Sequence, residues 1–236
     1  MICKVADLYV SVPESGGLDV RCRPYLAESG AEADIIIKEE LYDAEHWSGI
    51  GEKDLAYMES GWQFYVSLVR WGGMMLHSSA IVVDGKAYLF SGPSGVGKST
   101  HTRLWQQLFP DAIVINDDKP ALRKIDGVWY AYGTPWCGKD GINANVRAPL
   151  AGICFLRQGS ENKIRRLSSI EGVAGVLSQT LRKYKTARGM GSLTDIIDKL
   201  VTDIPIYELC NRPEPAAAEL SYRTMSGMDC EVKNED

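Results

Sequence analysis

The sequence predicts an α/β fold: a mixed, partly antiparallel sheet with flanking helices and a small N-terminal lobe. Three observations predict it. Gly92-Pro93-Ser94-Gly95-Val96-Gly97-Lys98-Ser99 fits G-x-x-x-x-G-K-[ST] with no mismatch, between an apolar β-type run and a helical run. Asp84-Gly85 and Asp126-Gly127 each separate two short strand-like runs, a hairpin signal. Hairpins bracketing such a loop differ from plain βαβ repetition and imply a sheet that is not purely parallel.

The elements follow in order. Residues 1–70 form the N-terminal lobe, with strands at 8–12 and 35–38 and a turn at Pro13, Gly16 and Gly17. Leu55, Met58, Trp62, Tyr65, Val66, Leu68 and Val69 recur at helical spacing, so 55–71 is expected to be an amphipathic helix whose aromatics face a core. The nucleotide-binding core spans 71–226. Strands are expected at 79–83 and 87–91 around Asp84-Gly85, then the glycine loop, then a helix at 100–109. The β-branched run 112–116 ends in Asp117-Asp118, and 120–125 with 128–132 make the second hairpin. A buried strand at 150–156 precedes helices at 170–181 and 193–202, a strand at 206–209 and a last helix at 213–225. Residues 227–236 are expected to be a frayed tail.

Bulk properties narrow the function. The chain has 236 residues, is 45% hydrophobic and 24% charged, and carries a net charge of −5, which argues against a general nucleic-acid binder. Its densest basic patch, Lys163-Ile164-Arg165-Arg166, is short enough to be a solvated strand edge. The six cysteines make no C-x-x-C pair, so a zinc site is not expected. No apolar stretch approaches the ~20 residues of a membrane span, and no basic-then-apolar leader opens the chain. A cytoplasmic protein with free thiols and no membrane partner is the expectation.

The glycine loop specifies chemistry. Its glycines let successive N–H groups turn toward phosphate oxygens, and the helix that follows adds its positive end. Gly92, Pro93, Ser94, Gly95, Val96, Gly97, Lys98, Ser99 and Thr100 are therefore the expected nucleotide contacts, with Lys98 on the β/γ-phosphates and the Ser99 hydroxyl on Mg²⁺. A kinase also needs a carboxylate at the end of a neighbouring apolar strand, and Asp117-Asp118 supplies two. Asp118 is assigned to the metal and Asp117 to the base, since adjacent like charges push one carboxyl upward. The turn must break strand alternation for both to face the site. His77 is a candidate to contact phosphate or to orient Asp117, whereas His101 is expected to pack or cap. Arg103, Lys139 and Arg147 are candidate cations for transferring phosphoryl charge. The loop 133–139, rich in glycine and ending in Lys139, suits a phosphate- or substrate-contacting segment.

Together Leu76-His77-Ser78-Ser79, the hairpin, residues 91–100 and the strand ending in Asp117-Asp118 resemble the catalytic domain of the HPr kinase/phosphorylase family. The specific motifs cover 74–125; the order of elements is compatible to about 225. A bacterial HPr-kinase-like subgroup shares His-Ser-Ser-Ala, Gly-Pro-Ser-Gly-x-Gly-Lys-Ser-Thr, Asn-Asp-Asp-Lys-Pro and Gly-Thr-Pro-Trp, which stand here at 77, 92, 116 and 133. The resemblance implies a mixed sheet similar to that of phosphoenolpyruvate carboxykinase. It implies ATP and Mg²⁺ as cofactors and phosphorylation of a hydroxyl, serine foremost, on a peptide, protein or small molecule. It implies phosphate contact for His77 and base and metal roles for Asp117 and Asp118, and it is compatible with a homo-oligomer. One departure limits it: the family's downstream Glu-x-Arg-Gly-x-Gly corresponds to 132–136 here, which holds no acid. That argues against the phosphorylase half-reaction and against HPr as acceptor. The other reading is an ATP-binding regulatory protein without phosphotransfer.

Overall fold

The computed structural model describes residues 1–14, 17–28, 30–39, 52–181 and 187–228. Among them are twelve strands and six α-helices: β1 (Ile2–Val5), β2 (Leu8–Ser11), α1 (Leu18–Cys22), β3 (Ile35–Ile36), α2 (Glu52–Leu68), β4 (Gly73–Met75), β5 (Ser78–Val83), β6 (Lys86–Ser91), α3 (Lys98–Leu108), β7 (Ile113–Asn116), β8 (Ala121–Ile125), β9 (Val128–Tyr132), β10 (Arg147–Gln158), β11 (Lys163–Arg166), α4 (Ser169–Ser178), α5 (Ala187–Asp203), β12 (Ile206–Asn211) and α6 (Pro215–Ser226). Gly16 of the expected N-terminal turn, Cys230 and residues 229–236 of the expected tail lie outside the described residues.

The expected mixed sheet is present. Nine strands run in the order β4-β8-β9-β10-β6-β5-β7, with β12 on β10 and β11 on β12. β5 and β6 form the antiparallel hairpin that Asp84-Gly85 requires. Both turn residues have positive φ, 50° and 72°, the type I′ geometry that suits the twist of the flanking strands. Asp126 and Gly127 repeat it between β8 and β9, at 49° and 84°. β10 joins the two halves of the sheet. Its first residues pair with β9 antiparallel, its later ones with β12 in parallel, and its other edge with β6 in parallel. This change of partner makes β10 twelve residues long, where the apolar run predicts seven.

Both sheet faces are covered. Leu193, Ile197 and Leu200 of α5 and Val176 of α4 pack with Leu89, Ile115 and Ile153. On the opposite face Trp105 of α3 and Ala218 and Met225 of α6 pack with Tyr88, Phe90 and Leu209. Fully burying side chains of this size contributes about 1.5–3 kcal/mol each. The basic patch is the edge strand β11, where Arg165 pairs with Glu171 and Glu208.

Two N-terminal elements differ from expectation. β1 pairs with β2 around Ala6 and Asp7, whose φ values of 52° and 59° are left-handed without any glycine. α1 lies between β2 and β3, where only a turn is expected, and β3 is the short parallel partner of β2. This small sheet shares an apolar cluster with Phe64, Tyr65 and Leu68 of α2 and with Trp136, which stacks on Phe64 at 4.6 Å between ring centroids.

Two positions carry large expected effects on stability. A Cβ at Gly133 would stand 1.8 Å from the Ala144 carbonyl oxygen and 2.6 Å from that of Ile115. Both obstacles are backbone, so Gly133→Ala should cost about 3 kcal/mol or more, read as a fall in the urea midpoint. His101 is 1% exposed and bonds Ser221 Oγ through Nε2 at 3.0 Å, while its Nδ1 is buried without a partner. It packs, as expected. Burial pushes this imidazole down to about 4. The folded value lies below the unfolded one, so protonation favours the unfolded chain. The contribution is complete above about pH 6.5 and is lost as pH falls toward 4, a difference of about 3 kcal/mol. Unfolding free energies at pH 7.5 and 4.5 should differ much less in His101→Gln; an unchanged difference would refute this.

Candidate functional site

One end of the sheet gathers the chemistry. β5 is antiparallel to both β6 and β7, with Ser78 opposite Ser91 and Ala80 opposite Asn116. The start of β5 therefore lies beside the ends of β6 and β7. His77, the glycine loop and Asp117-Asp118 come together there.

The loop leaves β6 at Gly92 and enters α3 at Lys98. Gly92, Gly95 and Gly97 have φ of 138°, 81° and 111°, a region where a side chain is strained. A Cβ on Gly95 or Gly97 would meet nothing within 4 Å, so the loop bounds open space. Lys98 folds back over the loop, and its Nζ donates to the carbonyls of Gly92 at 3.0 Å and Pro93 at 3.3 Å. Burial lowers its pKa and the charge of Asp118 opposes that, which puts the two groups within electrostatic reach. Pro93, Ser94, Gly95, Ser99 and Thr100 are exposed, and Val96 and Gly97 half-buried.

Asn116 builds the turn that carries the carboxyls. Its Oδ1 accepts the N–H groups of Asp118 at 2.9 Å and Lys119 at 2.6 Å, and its Nδ2 donates to the carbonyls of Thr134 and Trp136. The chain folds over after β7, so strand alternation ends. Asp117 Oδ1 accepts the Gly138 N–H at 2.6 Å. Asp118 Oδ1 lies 3.0 Å from His77 Nε2, and its Oδ2 pairs with Lys119. The two acids separate in strength. Burial raises the Asp117 carboxyl, only partly offset by the Gly138 N–H, and the neighbouring Asp118 charge adds to the rise. Burial also acts upward on Asp118, but the His77 and Lys119 hydrogen bonds and charges outweigh it and hold the carboxyl well below the usual range.

His77 sits on Asp118, where the sequence reading has it on phosphate or Asp117. The Ser78 N–H donates to the Asp118 carbonyl at 3.1 Å, which aligns 77 with 118. Gln179 fixes the ring from the other side: its Oε1 is 3.2 Å from Nδ1, and its carbonyl accepts the His77 N–H. Of the candidate cations, Arg103 is exposed and pairs with Asp140 at 3.7 Å. Arg147 pairs with Asp7 and lies over the Tyr130 ring. Lys139 is exposed and lines a cavity with Asp118, Lys119 and Gly138. The 133–139 loop thus reaches the site through Gly138 and Lys139. Lys119, Asn116 and Gln179 are site residues that sequence reasoning missed. Lys119 and Asn116 flank the Asp pair and could have been found by adjacency; Gln179 carries no sequence signal.

Among the described residues no group of three His, Cys, Asp or Glu side chains could hold a metal. No helix among them is long and apolar enough to cross a membrane. Fold and site together define an α/β protein with a glycine loop, a buried lysine and an acid pair at one sheet end. No protein-family model and no curated protein matches the chain. Among solved structures it is similar to the HPr(Ser) kinase/phosphatase from Coxiella burnetii, at 10% identity and a TM-score of 0.37, over 69% of this chain and 98% of that one. The likeness is coarse.

Proposed function

We propose that the protein is a Mg-ATP-dependent kinase that transfers the γ-phosphoryl group to a hydroxyl, serine being the expected type. The observation that carries this reading is the convergence of the glycine loop, its buried lysine and two adjacent carboxyls of opposite acidity. The motifs shared with the HPr kinase/phosphorylase family support it.

The loop fits a polyphosphate. Open space at Gly95 and Gly97 leaves room for phosphate against the loop, and Lys98 can exchange two carbonyl acceptors for phosphate oxygens. Ser99 and Asp118 would hold Mg²⁺. With no cluster of three such side chains among the described residues, the ion would complete its shell with phosphates and water, as Mg²⁺ commonly does. When bound, it neutralises charge on the β- and γ-phosphates.

The acceptor oxygen attacks the γ-phosphorus, the bond to the β,γ-bridging oxygen breaks, and ADP leaves with that electron pair. Asp117 takes the hydroxyl proton. Its raised pKa makes it the better base of the pair, while Asp118 remains charged. His77 and Gln179 hold Asp118 in position. The test is incubation of the protein with γ-labelled ATP and a cell extract. Label in an acid-stable phosphomonoester is expected; ATP binding without transfer would favour the regulatory reading.

A further inference from the structure

Next to the acid pair lies a cavity of about 550 Å³, a volume typical of small-molecule sites. One wall is the outer face of α2, with Tyr57, Met58 and Trp62, and Trp136 faces it from the 133–139 loop. Asp118 and Gly138 also line it. Gly138 is packed against the Asp117 carboxylate, which a Cβ would approach to 2.9 Å. The cavity is therefore apolar in bulk, is lined by Asp118, and reaches the Asp117 carboxylate through Gly138, whose N–H that carboxylate accepts.

Its charges are unbalanced. Arg21 is half-buried on the cavity wall, and its Nη1 donates to Tyr57 Oη at 3.0 Å and contacts Cys137 Sγ at 2.9 Å. Its guanidinium carbon is 4.4 Å from the Tyr57 ring centroid. It forms no ion pair among the described residues, and neither does Lys139. Asp118 is already matched by His77 and Lys119, which leaves exposed Asp54 as the other acid of the lining among the described residues. A fork-shaped donor placed on a tyrosine, with a second cation that forms no ion pair among the described residues lining the same cavity, suits a carboxylate.

We propose that this cavity is the acceptor site and that the acceptor is a small amphipathic hydroxy acid. Its hydroxyl reaches the Asp118–Gly138 border, its bulky apolar body lies against Trp136 and α2, and its carboxylate meets Arg21 and Lys139. The assignment rests on the kinase reading, but its binding test needs no nucleotide. Calorimetry on the full chain would use N-benzoyl-L-serine as probe. Against it stand L-serine, which lacks the ring, and N-benzoyl-L-serinamide, which lacks the carboxylate.

The probe should bind at least about tenfold more tightly than either. Arg21→Gln should cost the acid about tenfold and the amide less than about twofold, with Arg21→Lys, which keeps the charge but not the fork, recovering only part of the loss. Met58→Asp, at an exposed position, should weaken acid and amide together. Equal affinity for L-serine, an equal loss of acid and amide in Arg21→Gln, or binding of seryl peptides but not the probe would each overturn the proposal. Probe binding with this pattern but no phosphoryl transfer would remove the kinase reading and leave a hydroxy-acid site. Transfer without this pattern would remove only the acceptor assignment.

Discussion

Asp117→Asn should slow phosphoryl transfer by about 10²–10⁴-fold, the usual contribution of a positioned general base, with ATP affinity within about twofold. The substitution is selective because Asn keeps an oxygen for the Gly138 N–H, so the 133–139 loop stays in place. What it removes is the proposed proton acceptor. The pH profile gives a second readout. As the proposed base Asp117 must be deprotonated, and burial places its pKa above the ordinary carboxylate value. Activity should therefore fall with decreasing pH at a higher pH than an unshifted aspartate would give, and Asp117→Asn should abolish that limb. Transfer within about threefold of wild type in the mutant would assign the base elsewhere.

Lys98→Ala should weaken ATP binding by about 100-fold or more, because charge-assisted hydrogen bonds to phosphate contribute about 1.5–3 kcal/mol each. In the free protein Lys98 ties the α3 entry to the carbonyls of Gly92 and Pro93. Nucleotide binding would transfer those donors to phosphate without moving the helix. The mutant should remain folded, since the packing of Trp105 of α3 on Tyr88 and Phe90 is untouched. Calorimetry with Mg-ATP measures the loss, and the melting temperature controls for folding. Unchanged affinity would leave the glycine loop without a phosphate role.

The parts of the fold that sequence could reveal are those specified locally. Asp84-Gly85 and Asp126-Gly127 encode their hairpins because only their left-handed turn suits the strand twist. The equivalent turn at Ala6-Asp7 is invisible, since neither residue announces a positive φ. β4 is missed because three residues carry no period, and its pairing with β8 alone makes it a strand. The candidate site divides in the same way. The loop, Lys98 and the Asp pair are contiguous motifs. Gln179 and Arg21 come from distant segments, brought in by the bonds of Gln179 to His77 and of Arg21 to Cys137. Burial of Asp117 against Gly138 is likewise tertiary, so the sequence could name two acids but only the fold shows which is the weaker.

On the proposed reading, this site moves the γ-phosphoryl group of ATP onto a hydroxyl. The most direct measurement is parallel incubation of cell extract with γ-labelled and α-labelled ATP, using wild type and Asp117→Asn. Acid-stable label from the γ position alone is expected, present with wild type and nearly absent with the mutant. Label from the α position, or equal labelling by both proteins, would contradict it.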